Sequence, residues 1–312
     1  MECEPPDACV NDTREMRLLS RQEKADKSSW ERFLARDRHL IIACVALAVL
    51  MNLPDGRYVL YPFMIFSTWI HEMCHGMAAL LTGGKIAKLQ IFGDGSGLAY
   101  TVTTSKFARA LVSSAGYPGT AVTGCLMLLF RRTTLGPTIG TMTMGCCMLL
   151  SCLLIVRNKF GLIVLTIEGL CLVIGGWKLP AVALDYLYGF LAATCSLNAV
   201  ESIHDLYGAS QGYAGGELMN SDAHTVAEYW GGDYRVWATI WLLTAIVLTA
   251  VGVLYARDAR ALHHGTTTTT PGTTAAAAVV PTTTPCERYN TTAPAQTVLA
   301  PSAPTLYPAQ IV

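Results

Sequence analysis

Five consecutive residues, His71-Glu72-Met73-Cys74-His75, place two imidazoles four positions apart, with a carboxylate directly after the first. Positions i and i+4 of a helix share a face, so both rings can reach one metal ion from the same side. Imidazole nitrogen is a common zinc ligand. A glutamate one step round the helix is placed to take a proton from a water that the metal activates. The pattern therefore points to zinc-dependent hydrolysis, with His71 and His75 as ligands and Glu72 as general base. A catalytic zinc takes its third protein ligand from a separate element and keeps one position open for water and substrate.

Asp205 is the favoured third ligand. It follows the apolar run 180–203 in Ser196-Leu-Asn-Ala-Val-Glu-Ser-Ile-His-Asp-Leu-Tyr-Gly. The rival is Asp222, in Asn220-Ser-Asp-Ala-His, which also reads as the N-cap of a helix starting near Ala223. Glu168 and Asp185 lie within apolar runs and are weaker candidates. Cys74 falls between the two histidines and reads as packing. His204 and His224 neighbour the aspartates and are either partners that orient a ligand or solvated loop residues.

These residues must be held by elements that the composition describes well. The chain has 312 residues, 52% hydrophobic and 14% charged, against about 25% charged in an average soluble domain. Such a chain is not disordered. Its 22 basic and 22 acidic residues cancel, which gives no basic excess for nucleic acid. Charge is concentrated in residues 12–38, and no charged residue occurs from Ala110 to Phe130 or from Thr133 to Val156. Apolar segments at 39–53, 59–82, 107–130, 134–156, 160–176, 180–203 and 236–256 predict an all-α multi-pass integral membrane protein with six or seven transmembrane helices. Two of the segments fall short of the roughly 20 residues that a span needs. The His-Glu-x-x-His run lies inside the second segment, where ionisable side chains are expensive and functional by default.

Around this block, residues 1–38 read as a polar N-terminal tail, 39–256 as the transmembrane domain and 257–312 as a Thr/Ala/Pro-rich tail without the means to build a core. The basic residues of the N-terminal tail favour a cytosolic N-terminus. Sequons stand at Asn11 and Asn290. Residues 84–104 carry two β-prone arms around Gly93-Asp-Gly-Ser-Gly and predict a small β-hairpin insert. Residues 204–235 read as a polar, glycine-rich loop. Gly116-Tyr-Pro-Gly interrupts an apolar span and predicts either a helix break lining the metal cavity or close helix packing. Eight of the eleven cysteines sit in apolar runs and no CxxC pair exists, so no disulfide framework is expected.

The stretch Phe66-Ser-Thr-Trp-Ile-His-Glu-Met-Cys-His-Gly-Met-Ala-Ala-Leu-Leu-Thr-Gly-Gly-Lys, followed by Asp94-Gly-Ser-Gly, resembles the M50B-like peptidases, relatives of the site-2 intramembrane zinc metalloproteases. The likeness spans roughly 57–256 and is strongest over 66–100. It implies a Zn²⁺ ion bound by His71, His75 and an aspartate, with Glu72 as general base, and transmembrane protein substrates cleaved in or near the lipid bilayer. It also implies that the hairpin presents substrate as an extended strand. The Asn-Pro…Leu-Asp-Gly signature of the site-2 third ligand is absent: no proline follows Asn198, and Leu-Tyr follows Asp205. That departure motivates two alternatives, a non-catalytic peptidase-like scaffold that binds client helices and, more distantly, a metal transporter.

Overall fold

The computed structural model describes residues 56–208, 211–214, 217–265 and 310–311, with scattered positions before 56; of the side chains of 198–219 and of those from 255 onward, nothing is described. The N-terminal tail, most of the first apolar segment, both sequons and most of the Thr/Ala/Pro-rich tail lie outside the described residues.

Among the described residues, eight helices and two small sheets follow in the order α1 (Gly56–Leu81), β1 (Lys85–Ile91), β2 (Gly97–Val102), α2 (Lys106–Ser113), α3 (Gly116–Phe130), α4 (Gly136–Leu154), α5 (Lys159–Lys178), α6 (Ala181–Gly208), β3 (Gln211–Ala214), β4 (Glu217–Asn220), α7 (Asp222–Trp230), α8 (Tyr234–Gly265) and β5 (Gln310–Ile311). Among the described residues, α4, α5 and the Tyr234–Leu254 stretch of α8 are long and apolar enough to cross a membrane. The apolar parts of α3 and α6 are shorter. Helix α1 has the length, 26 residues, but carries Arg57, His71, Glu72 and His75, which dilute its apolar character.

Helix α1 lies at the centre. Ile65, Phe66, Trp69 and Ile70 are buried against β1, α3, α4, α5 and α6, and the Trp69 indole donates to Ser151 Oγ on α4 at 3.0 Å. The α4–α5 pair packs through facing glycines. A Cβ at Gly145 would lie 2.7 Å from the Gly169 carbonyl oxygen, so the two backbones approach as only small residues allow.

The hairpin β1–β2 is antiparallel, from Lys85 opposite Val102 to Ile91 opposite Gly97. Its turn is fixed locally, because the Asp94 carboxylate accepts from the Ser96 amide and hydroxyl at 2.9 and 2.6 Å and Gly95 takes a left-handed φ of 90°, a conformation glycine adopts without steric cost. It is also fixed from α1, whose Tyr61 and Thr68 hydroxyls donate to the Gly93 and Gly95 carbonyls, each at 2.9 Å. The outer edge of β1 is closed by the α4–α5 connection: the Leu89 amide donates to Ile155 O and the Arg157 amide to Leu89 O. The Asn158 side chain meets both backbone groups of Ile91.

Two expectations are corrected here. The apolar segment 107–130 is not one helix: it divides at Ser114–Ala115 into α2 and α3. Hydropathy along the segment does not place the division, because α2 is amphipathic, with Lys106 and Arg109 among Ala108, Ala110 and Val112, and reads as the start of the apolar run. The supposed loop 204–235 holds the end of α6, a β3–β4 hairpin and helix α7. Its paired glycines, Gly215-Gly216, are a hairpin turn signal diluted by the polar composition around them.

Helix α3 ends on an ion pair with α6. Buried Arg131 donates from Nη2 to Asp185 Oδ2 at 2.6 Å and from Nε to the Asp185 carbonyl at 3.1 Å. Asp185 is thus engaged here and does not join the histidines. Charge-assisted bonds of this kind contribute about 1.5–3 kcal/mol, and partial exposure of Asp185 puts this one near the lower end. Arg131→Ala is expected to lower stability by about 2 kcal/mol, read as a lower thermal midpoint in detergent. An unchanged midpoint would show that the pair contributes nothing.

Candidate metal centre

His71 and His75 occupy successive turns of α1, and their rings meet edge to face with centroids 4.7 Å apart. Their Nε2 atoms are 3.0 Å apart. Asp222 Oδ2 lies 3.2 Å from each of them. Among the described residues these three form the one group of side chains that could hold a metal ion. The triangle fits the ion that the sequence suggests, because donors about 2.0–2.1 Å from a tetrahedral zinc are about 3.3 Å from one another.

The chemistry of the donors fits as well. The His75 Nδ1–H donates to the Val112 carbonyl at 2.7 Å. This bond sets the tautomer and leaves the His75 Nε2 lone pair directed at the triangle. A second imidazole nitrogen and a carboxylate oxygen converge on the same space. Three donors converging in this way match what a bound metal ion needs. Backbone support of the ring nitrogen that faces away from the metal is a regular feature of metal-binding histidines.

Each donor is positioned by a different element. Helix α2 supplies the Val112 carbonyl and starts on a sound cap, Ser105 Oγ accepting from the Ala108 amide at 3.1 Å. Helix α3 begins directly against the donors. A Cβ at Gly116 would stand 2.4 Å from His71 Cε1 and 2.5 Å from both Nε2 atoms. The next residue, Tyr117, sets its ring against His71 with centroids 4.6 Å apart and stacks on Trp241 of α8 at 5.7 Å. Ala223 and Val226 of α7 pack with Ala238 and Trp241 of α8, which anchors the helix that carries Asp222.

Asp222 is the first residue of α7, and the N-cap is Ser221, whose hydroxyl accepts from the His224 amide at 3.3 Å. The capping role read onto Asp222 therefore belongs to its neighbour, and the Asp222 carboxylate is left to reach across to α1. Burial pushes the Asp222 carboxyl up, but His75 and His71 outweigh it and hold the group well below the usual carboxylate range. Asp205, the favoured candidate from sequence, lies near the end of α6, and its side chain is outside the described residues, as is that of His204. Among the described side chains, Asp222 is the carboxylate that joins the histidines, and the preference for Asp205 falls outside them. The His224 ring lies beside Tyr234, centroids 6.3 Å apart. Glu168 is on α5, outside the cluster, with one buried oxygen lacking a hydrogen-bond partner.

Glu72 faces the hairpin. A Cβ at Gly97 would meet the Glu72 Cγ at 2.6 Å and Oε1 at 2.8 Å. Oε2 is buried and has no hydrogen-bond partner. A buried acceptor left unpaired carries a desolvation penalty, and such an atom beside a cluster of metal donors is poised to receive a proton.

Sequence reasoning passed over Val112, which acts through its backbone and leaves no side-chain signal, and Trp241. Gly116 and Tyr117 fell within the Gly-Tyr-Pro-Gly run, and the break itself lies just before it, at Ser114–Ala115.

The sequence model of the family described as Peptidase M50B-like matches residues 40–252. No curated protein and no solved structure matches the chain. The matched region covers more than half of the 312 residues and includes both histidines, Glu72 and Asp222, and three of its helices are apolar enough to span a bilayer. This membrane protein therefore belongs to the Peptidase M50B-like family, which gives it a peptidase-related function.

Proposed function

We propose that the chain is an intramembrane zinc metallopeptidase that hydrolyses peptide bonds of transmembrane protein substrates. The observation that carries this reading is the unpaired Oε2 of Glu72 beside three converging donors. In this reading His71, His75 and Asp222 hold Zn²⁺, which when bound supplies Lewis-acid polarisation of a carbonyl and of water. Glu72 takes the proton of the attacking water at Oε2 and returns it to the leaving amine. Gly97, at the start of β2, allows an extended backbone to pass close to Glu72. The polar-site helix α1 and the shorter apolar helices α3 and α6 join α4, α5 and α8 in a multi-pass bundle of six or seven spans around the site. The low charge of the surrounding helices keeps the donors in a medium where their electrostatic effect is strong.

Glu72→Gln tests the assignment in purified protein reconstituted with a transmembrane substrate. The amide keeps the shape and loses the base. Cleavage is expected to fall by about 10²–10⁴-fold, the range for a positioned general base, with zinc content unchanged. Retained cleavage would sink the proposal. A peptidase-like scaffold would be indifferent to the substitution.

A further inference from the structure

The β1–β2 hairpin has two outer edges, and both are taken. That of β1 is closed by the α4–α5 connection. On that of β2 lies β5, antiparallel, with Ile311 opposite Tyr100 and Gln310 opposite Thr101. The first is part of the bundle's own frame. The second is made by residues that reach it across a long connection, since α8 ends at Gly265.

We propose that the outer edge of β2 is a strand-docking site, which the chain's own Gln310–Ile311 segment occupies in competition with substrate. The proposal rests on the peptidase reading above and assigns that site a built-in competitor.

Four features support it. The first is position. Gly97 touches Glu72, and Tyr100 is three residues further along the strand, about 10 Å at the usual strand rise. The second is polarity. An antiparallel strand that passes Thr101 and then Tyr100 heads toward Leu98 and Gly97, so its course leads to the general base. A substrate strand that runs along this edge from Thr101 to Gly97 calls on the groups of Tyr100 and Thr101 that the tail strand takes. The third is chemistry. Pro301, Pro304 and Pro308 lack the amide that a ladder requires, whereas Gln310 and Ile311, after the last of them, retain it, and Ile311 is β-branched. The fourth is reach. Residues 266–309 are enough chain to span well over 100 Å when extended, and pairing within one chain needs no second molecule, so it proceeds at an effective concentration that the tether sets. Strand addition draws its affinity from main-chain bonds. Two paired residues make a weak plug, which a substrate that pairs along more of β2 displaces.

The test uses the full chain and the double substitution Gln310→Pro/Ile311→Pro, with Thr305→Pro as a control outside the pairing. Hydrogen exchange of the β2 amides is followed in the Glu72→Gln background, so no turnover is needed. A tail docked nine-tenths of the time makes the tail-facing amides exchange about tenfold faster once it is released. A synthetic peptide of residues 301–312 added at millimolar concentration restores the protection. With Glu72 intact, the double variant cleaves its transmembrane substrate with KM lowered about tenfold and kcat unchanged, while Thr305→Pro matches the unsubstituted chain. Unchanged exchange in the double variant overturns the docking. Faster exchange with an unaltered KM overturns the competition. If the unsubstituted chain and the double variant both cleave nothing, the peptidase reading fails, and exchange alone still decides whether the tail docks.

Discussion

Replacing Asp222 by alanine is expected to strip the chain of its metal. The carboxylate is the one donor that does not come from α1, so removing it leaves two imidazoles on a single helix face. Loss of an outer partner alone costs a site about 10–100-fold in metal affinity, and loss of a direct ligand exceeds that. Zinc measured by mass spectrometry on the purified variant should fall from stoichiometric to background, and cleavage should vanish with it. Asp222→Asn makes the same point with less disturbance, since the amide preserves size at the start of α7 and Ser221 still caps the helix. The parallel Asp205→Ala variant should keep its zinc. If instead Asp222→Ala retains one zinc per chain and Asp205→Ala loses it, the donor set proposed here is wrong.

The comparison of those two aspartates shows what a sequence can and cannot disclose about such a site. His71 and His75 are legible because their relation is local: a spacing of four on a helix puts them together whatever the rest of the chain does. The hairpin is legible for a similar reason, since Asp94, Gly95 and Ser96 make the turn among themselves. The third donor is a tertiary fact. Its place depends on how α7 packs on α8 through Ala223, Val226 and Trp241, and nothing within a few residues of Asp205 or Asp222 reports that packing. Asp222 looked like a cap because aspartate before a helix usually is one. The residue before it also caps well, and one hydroxyl decided the matter. The division between α2 and α3 was hidden in another way. The amphipathic α2 reads as the start of the apolar run, and the contacts on either side of the division are tertiary: the Val112 carbonyl accepts from His75, and Gly116 presses against the imidazoles. The number of spans stayed open from sequence because segments 39–53 and 160–176 fall short of a full span; the second is part of α5, whose 20 residues are enough to cross, and most of the first lies outside the described residues.

Gly116→Ala carries the same expected loss as Asp222→Ala from a residue that donates nothing. The added methyl would fall 2.4–2.5 Å from the imidazole atoms of His71 and His75, well inside van der Waals contact, so something must move. The rings have little freedom to do so. His75 is tied to Val112 and fully buried, and His71 is held by the Tyr117 ring, itself stacked on Trp241. Backbone preference works in the opposite direction. Gly116 is in the first turn of α3 with no left-handed φ, and alanine is the better helix former by up to about 1 kcal/mol. The clash is therefore expected to cost the fold about 1–3 kcal/mol, partly offset by the better helix propensity and read as a modestly lower thermal midpoint of the metal-free protein, while zinc content drops to background and cleavage disappears. Gly175→Ala on α5 is the matched control, because its Cβ would meet only the Leu179 methyl at 3.4 Å. That variant should keep both zinc and activity. A Gly116→Ala protein that binds zinc and cleaves at the unsubstituted rate would mean that α3 stands further from the histidines than described here. The opposite split, folded protein with no metal, would show that the glycine is there to let a helix backbone approach the donor atoms.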